Sequence, residues 1–269
     1  MLSLEETLNI PIPKSIADII DYLPFHLDHL GKSESTVVLF EDYVLKISSL
    51  SFDIDNEWKN YLALKDKLPI AEILCCENSG DKLFVLKKKL QGKPLCDDYY
   101  LSRPDLLFIL AKKAIEMLWS VDIRDLHLQD TFQTIVDFGE KANQDGLLHF
   151  ESTNKEVTEG FADYDEILDY ILTHKSEEDP VLCHGDLCLP NIICDEDRIV
   201  GFIDMGLTGI SHRYHDLAIL YRSIKNNFRG CYGGKPYPGF EEGRLFNELG
   251  VEKKNDLIRY FQLLDELLG

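Results

Sequence analysis

Basic residues are what this sequence is short of. Lys and Arg total 28 against 48 Asp and Glu, a net charge of −20 over 269 residues. A surface that acidic repels phosphate backbones and anionic headgroups, so it argues against nucleic-acid and membrane-surface partners and suits a cationic one. Long apolar runs are missing as well: none reaches the ~18 residues that span a bilayer. The opening MLSLEETLNIPIPK carries acids where a signal peptide needs bases. The expectation is a soluble, cytoplasmic protein, a monomer or weak dimer. No Cys-x-x-Cys occurs, and the cysteines at 75, 76, 96, 183, 188, 194 and 231 are odd in number with two adjacent. That disfavours a disulfide framework and fits a reducing compartment. Cys183, Cys188 and Cys194 with His184 match no zinc spacing. Gly31-Lys32-Ser33 mimics the end of a P-loop, but that motif needs a glycine where His26 stands.

What is present supports a packed core: 45% hydrophobic residues, with 12 Tyr and 14 Phe. The length suits one large domain or two lobes. After a short helix broken by Pro11 and Pro13, a second helix is expected over Lys14–Tyr22. Short β-branched or aromatic runs predict strands at Phe25–Leu30, Thr36–Phe40, Tyr43–Ser48, Ile70–Cys76 and Lys82–Leu86. Helical spacing of apolar residues appears at Asp55–Lys67, then at Pro104–Val121, Thr131–Asn143, Asp163–Thr173, Arg213–Asn226 and Lys254–Leu268. Short strands are expected at Val181–Leu182, Ile192–Cys194 and Ile199–Ile203. The class is α+β, a strand-rich part at 1–91 and a helix-rich part at 92–269, joined by a hinge at about 87–93 where Gly92 and Pro94 break the pattern. The first part has net charge −5 and the second −15, of which −8 falls in 149–179. An acidic run is usually a solvated face, but this one lies just upstream of the most informative motif.

That motif is VLCHGDLCLPNIICDEDRIVGFIDMG, residues 181–206. His184-Gly185-Asp186 follows a short strand, Asn191 lies five residues after Asp186, and the strand IVGFI ends in Asp204. Phosphoryl transfer needs these residue types. A carboxylate at Asp186 accepts a hydrogen bond from an attacking hydroxyl and orients it. Asn191 and Asp204 supply hard oxygen ligands for Mg²⁺, which bridges nucleotide phosphates. A β-hairpin with polar residues at chance positions would explain any one of these features, but not the ordered set.

The segment resembles the aminoglycoside phosphotransferases, a branch of the protein-kinase-like fold, and their 3′-phosphotransferases most of all. The likeness continues through HRYHDLAILYRSI to the ending YFQLLDELLG and is traceable in the N-terminal third. The resemblance implies a bilobal kinase-like fold that moves the γ-phosphoryl of ATP or GTP, with Mg²⁺, to a hydroxyl of a cationic small molecule, an aminoglycoside, so conferring resistance. It implies that Lys46 in YVLKI binds phosphates, that Glu57 holds Lys46, and that Ser33 in LGKSESTVV covers the phosphates. The base would meet the hinge backbone near Lys87–Leu90, at Lys88 and Leu90, where the basic triplet Lys87-Lys88-Lys89 is unusual for the family and is expected to be solvated. Asp265 and Glu266 match the family's acidic pair for substrate ammonium groups, and Glu151, Glu156 and Glu159 fall in its substrate loop. Asp216 matches a bracing aspartate, and His184 is expected to be structural rather than a base. His212 and His215 make an His-x-x-His pair for which a metal role is disfavoured.

Two positions depart from the family's pattern. Leu207 replaces an arginine three residues after the second metal Asp, and Asn227 replaces an Asp after the RSI helix segment. Both bear on which acceptor is taken. The rival readings are a kinase of the same fold for choline, a sugar or a macrolide, and a catalytically inactive nucleotide-binding protein. The retained Lys, Glu, Asp, Asn and Asp set argues against the last.

Overall fold

A computed structural model describes residues 4–28, 36–49, 52–177 and 179–269. Ser33 lies outside the described residues. The first third carries helices α1 (Leu4–Leu8), α2 (Lys14–Ile20) and α3 (Phe52–Leu64) and strands β1 (His26–Asp28), β2 (Thr36–Leu39), β3 (Tyr43–Ser49), β4 (Ile73–Ser79) and β5 (Lys82–Lys88). The strands form one antiparallel sheet in the order β1-β2-β3-β5-β4. Side chains alternate between its faces. Leu45 and Ile47 of β3 and Phe84 and Leu86 of β5 turn to one face, where Ile16 and Ile20 of α2 complete an apolar cluster. Lys46 of β3 and Leu83, Val85 and Lys87 of β5 therefore belong to the opposite face.

The remainder holds β6 (Lys93–Pro94), α4 (Asp98–Leu101), α5 (Pro104–Trp119), α6 (Thr131–Gln144), α7 (Lys155–Thr158), α8 (Tyr164–Thr173), β7 (Pro180–Cys183), β8 (Ile192–Asp195), β9 (Arg198–Phe202), β10 (Gly209–His212), α9 (Tyr214–Arg229), α10 (Arg244–Leu249) and α11 (Asn255–Asp265). The architecture is α+β, a β-sheet N-terminal region followed by a mainly helical one. α5 is opened by Pro104, whose missing N–H costs nothing in a first turn. Its Leu107, Phe108, Ala111, Ala114, Ile115 and Leu118 are buried and pack with α9 and α11 into the main core. Among the described residues, no helix is long and apolar enough to cross a membrane.

Two small antiparallel pairings position the motif. β7 pairs with β10, and β8 pairs with β9 and with β6. The loop from β7 to β8 carries Asp186 and Asn191, and the turn from β9 to β10 carries Asp204. The chain thus returns twice to one spot. The two regions are stitched there: Phe202 N–H donates to Pro69 O at 2.9 Å, and Asn60 of α3 donates to Met205 O at 2.8 Å and Gly206 O at 3.2 Å.

Several boundaries differ from expectation for local reasons. The strand expected at Ile70–Cys76 runs Ile73–Ser79, because Ile70 makes an isolated bridge to Phe202 instead. The last helix ends at Asp265 and tightens into a 3₁₀ turn over Glu266–Leu268. β10 and α10 carry no clear periodic signal and were not anticipated. For the core, Phe108 is buried and stacks on Phe228 with ring centroids 6.4 Å apart. Phe108→Ala is expected to cost about 3–5 kcal/mol in urea unfolding; a loss under about 1 kcal/mol would contradict this packing.

Candidate active site

The loop after β7 is fixed through its backbone. His184 N–H donates to Asp216 Oδ2 at 2.7 Å and Gly185 N–H to Asp216 Oδ1 at 3.1 Å. Thr208 Oγ1 donates to His184 O at 3.0 Å. Asp216 sits fully buried in the first turn of α9. Burial pushes its carboxyl up to about 6, against the pull of His184 and the two N–H donors. The His184 ring lies 2.9 Å from Ile203 O through Nε2, so that nitrogen carries the proton, while Nδ1 accepts from Asp186 N–H at 3.3 Å. Burial lowers its pKa, so the ring is a neutral spacer between the two returning loops. Gly185 has φ +88°, and a Cβ there would lie 2.5 Å from Leu207 O. Only glycine fits.

Asp186 projects from this loop beside Asn191. Asn191 Nδ2 donates to Asp186 Oδ2 at 3.0 Å and to Asp186 O at 2.9 Å. The amide's nitrogen end is thereby committed, which leaves its Oδ1 end as the acceptor for a cation. Burial raises the Asp186 carboxyl to about 6, with the nearby Asp265 adding to the effect. Ile203 N–H donates to Asn191 O at 3.1 Å, which ties Asn191 to the residue preceding Asp204.

Asp204 adopts φ 56°, ψ 54°, the left-handed region that a β-carbon disfavours. Such a conformation persists only where its surroundings enforce it and is concentrated at functional sites. Its side chain is 48% exposed, so solvent reaches it although protein walls it in. Lys46 Nζ lies 3.5 Å from Asp204 Oδ1 and Lys87 Nζ 3.8 Å from the same oxygen. Burial works to raise this carboxyl, but the two ammonium groups outweigh it and hold the net pKa below the ordinary value. Two oxygen donors, Asn191 Oδ1 and Asp204, completed by phosphate oxygens and water, fit Mg²⁺. Among the described residues, no group of three or more His, Cys, Asp or Glu side chains is placed to hold a metal. His212 and His215 are both stacked on Phe261.

Other expected contacts are distributed differently. Glu57 is buried, and its carboxylate is bonded to Lys87 of β5 rather than to the expected Lys46. Lys88 is exposed and pairs with Glu72 at 2.7 Å, and its N–H donates to Glu72 O at 2.8 Å. Leu90 is half-buried beside Gly201, where a Cβ would meet it at 2.9 Å. Asp265 and Glu266 do not stand open as an acidic pair: Arg222 of α9 is bonded to Asp265 and lies 3.5 Å from Glu266. Glu266 also accepts from Asn154 N–H at 3.0 Å. Glu151 is exposed on a single 3₁₀ turn, and Glu156 pairs with Lys225 and, at 3.9 Å, with Arg229. Leu207 packs on the main core, and Asn227, inside α9, donates its side-chain amide back to Ser223 O at 2.8 Å. Lys87, expected to be solvated, is buried instead, and Arg222 is a site residue that the sequence reading did not single out. Lys87 carried a usable signal, since it continues the Leu83, Val85 alternation on an apolar strand.

Asp216 gives a direct test of the loop. Asp216→Ala leaves two buried N–H groups without their acceptor, at a cost of about 1–3 kcal/mol each. We expect a lower urea midpoint and a large loss of activity, with Asp216→Asn milder in both. An Asp216→Ala protein as stable and active as wild type would contradict the bracing role.

The pattern of the phosphotransferase enzyme family matches residues 29–251. An aminoglycoside 3′-phosphotransferase of Enterococcus faecalis is 28% identical over 88% of this chain and 87% of its own length. One from Staphylococcus aureus is 26% identical over 94% and 93%. Among solved structures, an aminoglycoside-3′-phosphotransferase of type VIII superposes with a TM-score of 0.75 over 94% of this chain and 97% of its own, at 18% identity. A Streptomyces rimosus aminoglycoside phosphotransferase in complex with ADP and streptomycin gives 0.75 over 100% of both chains at 17% identity. A choline/ethanolamine kinase family protein from Mesorhizobium loti gives 0.61 at 15% identity, over 94% of this chain and 81% of its own. The chain belongs to the phosphotransferase enzyme family, and its reaction is phosphoryl transfer to a hydroxyl group.

Proposed function

We propose that this protein phosphorylates a hydroxyl of an aminoglycoside antibiotic, with ATP or GTP as donor and Mg²⁺ bound, and so confers resistance. The observation that carries the reading is the meeting of Asp186, Asn191 and Asp204 at one spot, with Lys46 Nζ 3.5 Å from Asp204. The 3′ assignment is supported by the names of relatives matched over most of their length. The fold likeness to a choline/ethanolamine kinase family protein keeps a small cationic alcohol as the rival acceptor.

In this reading the regions 1–91 and 92–269 act as two lobes with a hinge at about 87–93. The base meets main-chain groups at Lys88 and Leu90, while Lys46 lies against the phosphates. Bound Mg²⁺ would be held by Asn191 and Asp204 and would neutralise charge on the phosphate oxygens. Asp186 accepts a hydrogen bond from the acceptor hydroxyl and sets it in line with the γ-phosphorus. With little covalent chemistry for the protein to do, rate comes from positioning and from cations placed where charge develops. The acceptor's ammonium groups meet the excess of acids in 149–179, net −8 in sequence. Asp265 and Glu266 take part through their shared partner Arg222, which must yield or share them when a substrate ammonium arrives. A cytoplasmic monomer or weak dimer suits such an enzyme.

The test is nucleoside-diphosphate release with ATP and with GTP across a panel of aminoglycosides, choline, sugars and macrolides. Turnover is expected with kanamycin-type compounds, and Asp186→Asn is expected to lower kcat by about 10²–10⁴-fold while still binding Mg·ADP. Turnover only on choline or a sugar would overturn the acceptor assignment. An Asp186→Asn enzyme at the wild-type rate would overturn the role of Asp186.

A further inference from the structure

Lysine is almost never fully buried unless it is paired. Lys87 is 6% exposed, and Glu57, to which its ammonium is bonded, is 4% exposed. The register of β3 and β5 sets Val44 opposite Lys87 and Lys46 opposite Val85. The two lysines are therefore diagonal neighbours on one face of the sheet, close enough for long side chains to converge. They do converge: the same Asp204 oxygen lies 3.5 Å from Lys46 Nζ and 3.8 Å from Lys87 Nζ. A pair serving packing alone would face only the core. This one has its second contact on a carboxylate open to solvent at the expected metal site.

We propose that Lys87 is a positioning residue of the phosphoryl-transfer site, one that holds Glu57 and, together with Lys46, fixes the carboxylate of Asp204. The inference rests on reading this junction as the Mg·nucleotide site. Three separate pieces of chain meet at the Lys87 ammonium: α3 through Glu57, β5 itself, and the turn after β9 through Asp204. Removing the ammonium leaves Glu57 as a buried carboxylate facing a second carboxylate, with Lys46 as the nearby cation for both. Lys46 is then drawn between Glu57, Asp204 and the phosphates. The two-lysine arrangement divides that work, giving Glu57 to Lys87.

The experiment compares wild type, Lys87→Met, Lys87→Arg and the Glu57→Gln/Lys87→Met double variant in the full chain. Calorimetry gives Mg·ADP affinity with no acceptor present, steady-state kinetics give kcat and acceptor KM, and thermal unfolding gives Tm. Lys87→Met is expected to weaken Mg·ADP about tenfold or more and to lower kcat, with acceptor KM within about twofold. Lys87→Arg recovers part of both losses. The double variant, which leaves no lone buried carboxylate, falls between Lys87→Met and wild type. If Lys87→Met does not fold, the double variant carries the comparison. Wild-type Mg·ADP affinity and kcat in Lys87→Met or in the double variant, with only Tm lowered, overturns the proposal. If wild type turns over no aminoglycoside, the acceptor assignment falls, and the Mg·ADP comparison still decides Lys87.

Discussion

Several carboxylates must stay close together and ionised, and the site is built around that constraint. At about 4 Å two like charges repel by roughly 4 kcal/mol in a partly screened protein environment. Each acid at the junction accordingly has its own compensation. Asp216 takes the two N–H groups of the His184-Gly185 turn. Asp204 has two ammonium groups within 4 Å, Glu57 has Lys87, and Asp265 has Arg222. Asp186 is the exception. It is held by hydrogen bonds, from the amide of Asn191 and the thiol of Cys188, while burial and Asp265 raise its pKa. A buried carboxylate held by hydrogen bonds rather than by an ion pair is suited to accept a hydrogen bond from a hydroxyl.

The same constraint explains why the fold returns to one spot. Sheets of two and three short strands are marginal on their own. The loop from β7 to β8 and the turn from β9 to β10 are held by Asp216 from α9, by Thr208, and by Asn60 from α3. The left-handed backbone at Asp204 and the glycine at 185 belong to this assembly. At Asp204 the conformation is set against intrinsic preference by contacts from elsewhere in the chain, whereas Gly185 takes its positive φ without the penalty of a β-carbon.

Much of this was legible in the sequence. The helices expected at 104–121 and 213–226 follow from periodicity and the Asp186, Asn191, Asp204 series from spacing, because each pattern is local, while the family resemblance singled out Lys46 on its strand. What was hidden depends on partners distant in sequence. Glu57 looks like a partner for Lys46, and only the sheet register shows Lys87 reaching it first. Asp265 and Glu266 look like an open acidic pair until α9 brings Arg222 between them. β10 was missed because Gly-Ile-Ser-His carries too little alternation over four residues. α10 was missed because it is short and follows a Gly- and Pro-rich stretch.

The central claim is that this junction moves a phosphoryl group from a nucleotide to a hydroxyl of an aminoglycoside. It is tested most directly by incubating the protein with Mg·ATP or Mg·GTP and kanamycin, then examining the antibiotic by intact mass and by phosphorus–proton correlation spectroscopy. A single added phosphoryl group on one ring hydroxyl, at the 3′ position, is expected. Unmodified antibiotic, from folded protein that binds Mg·ADP, would contradict it.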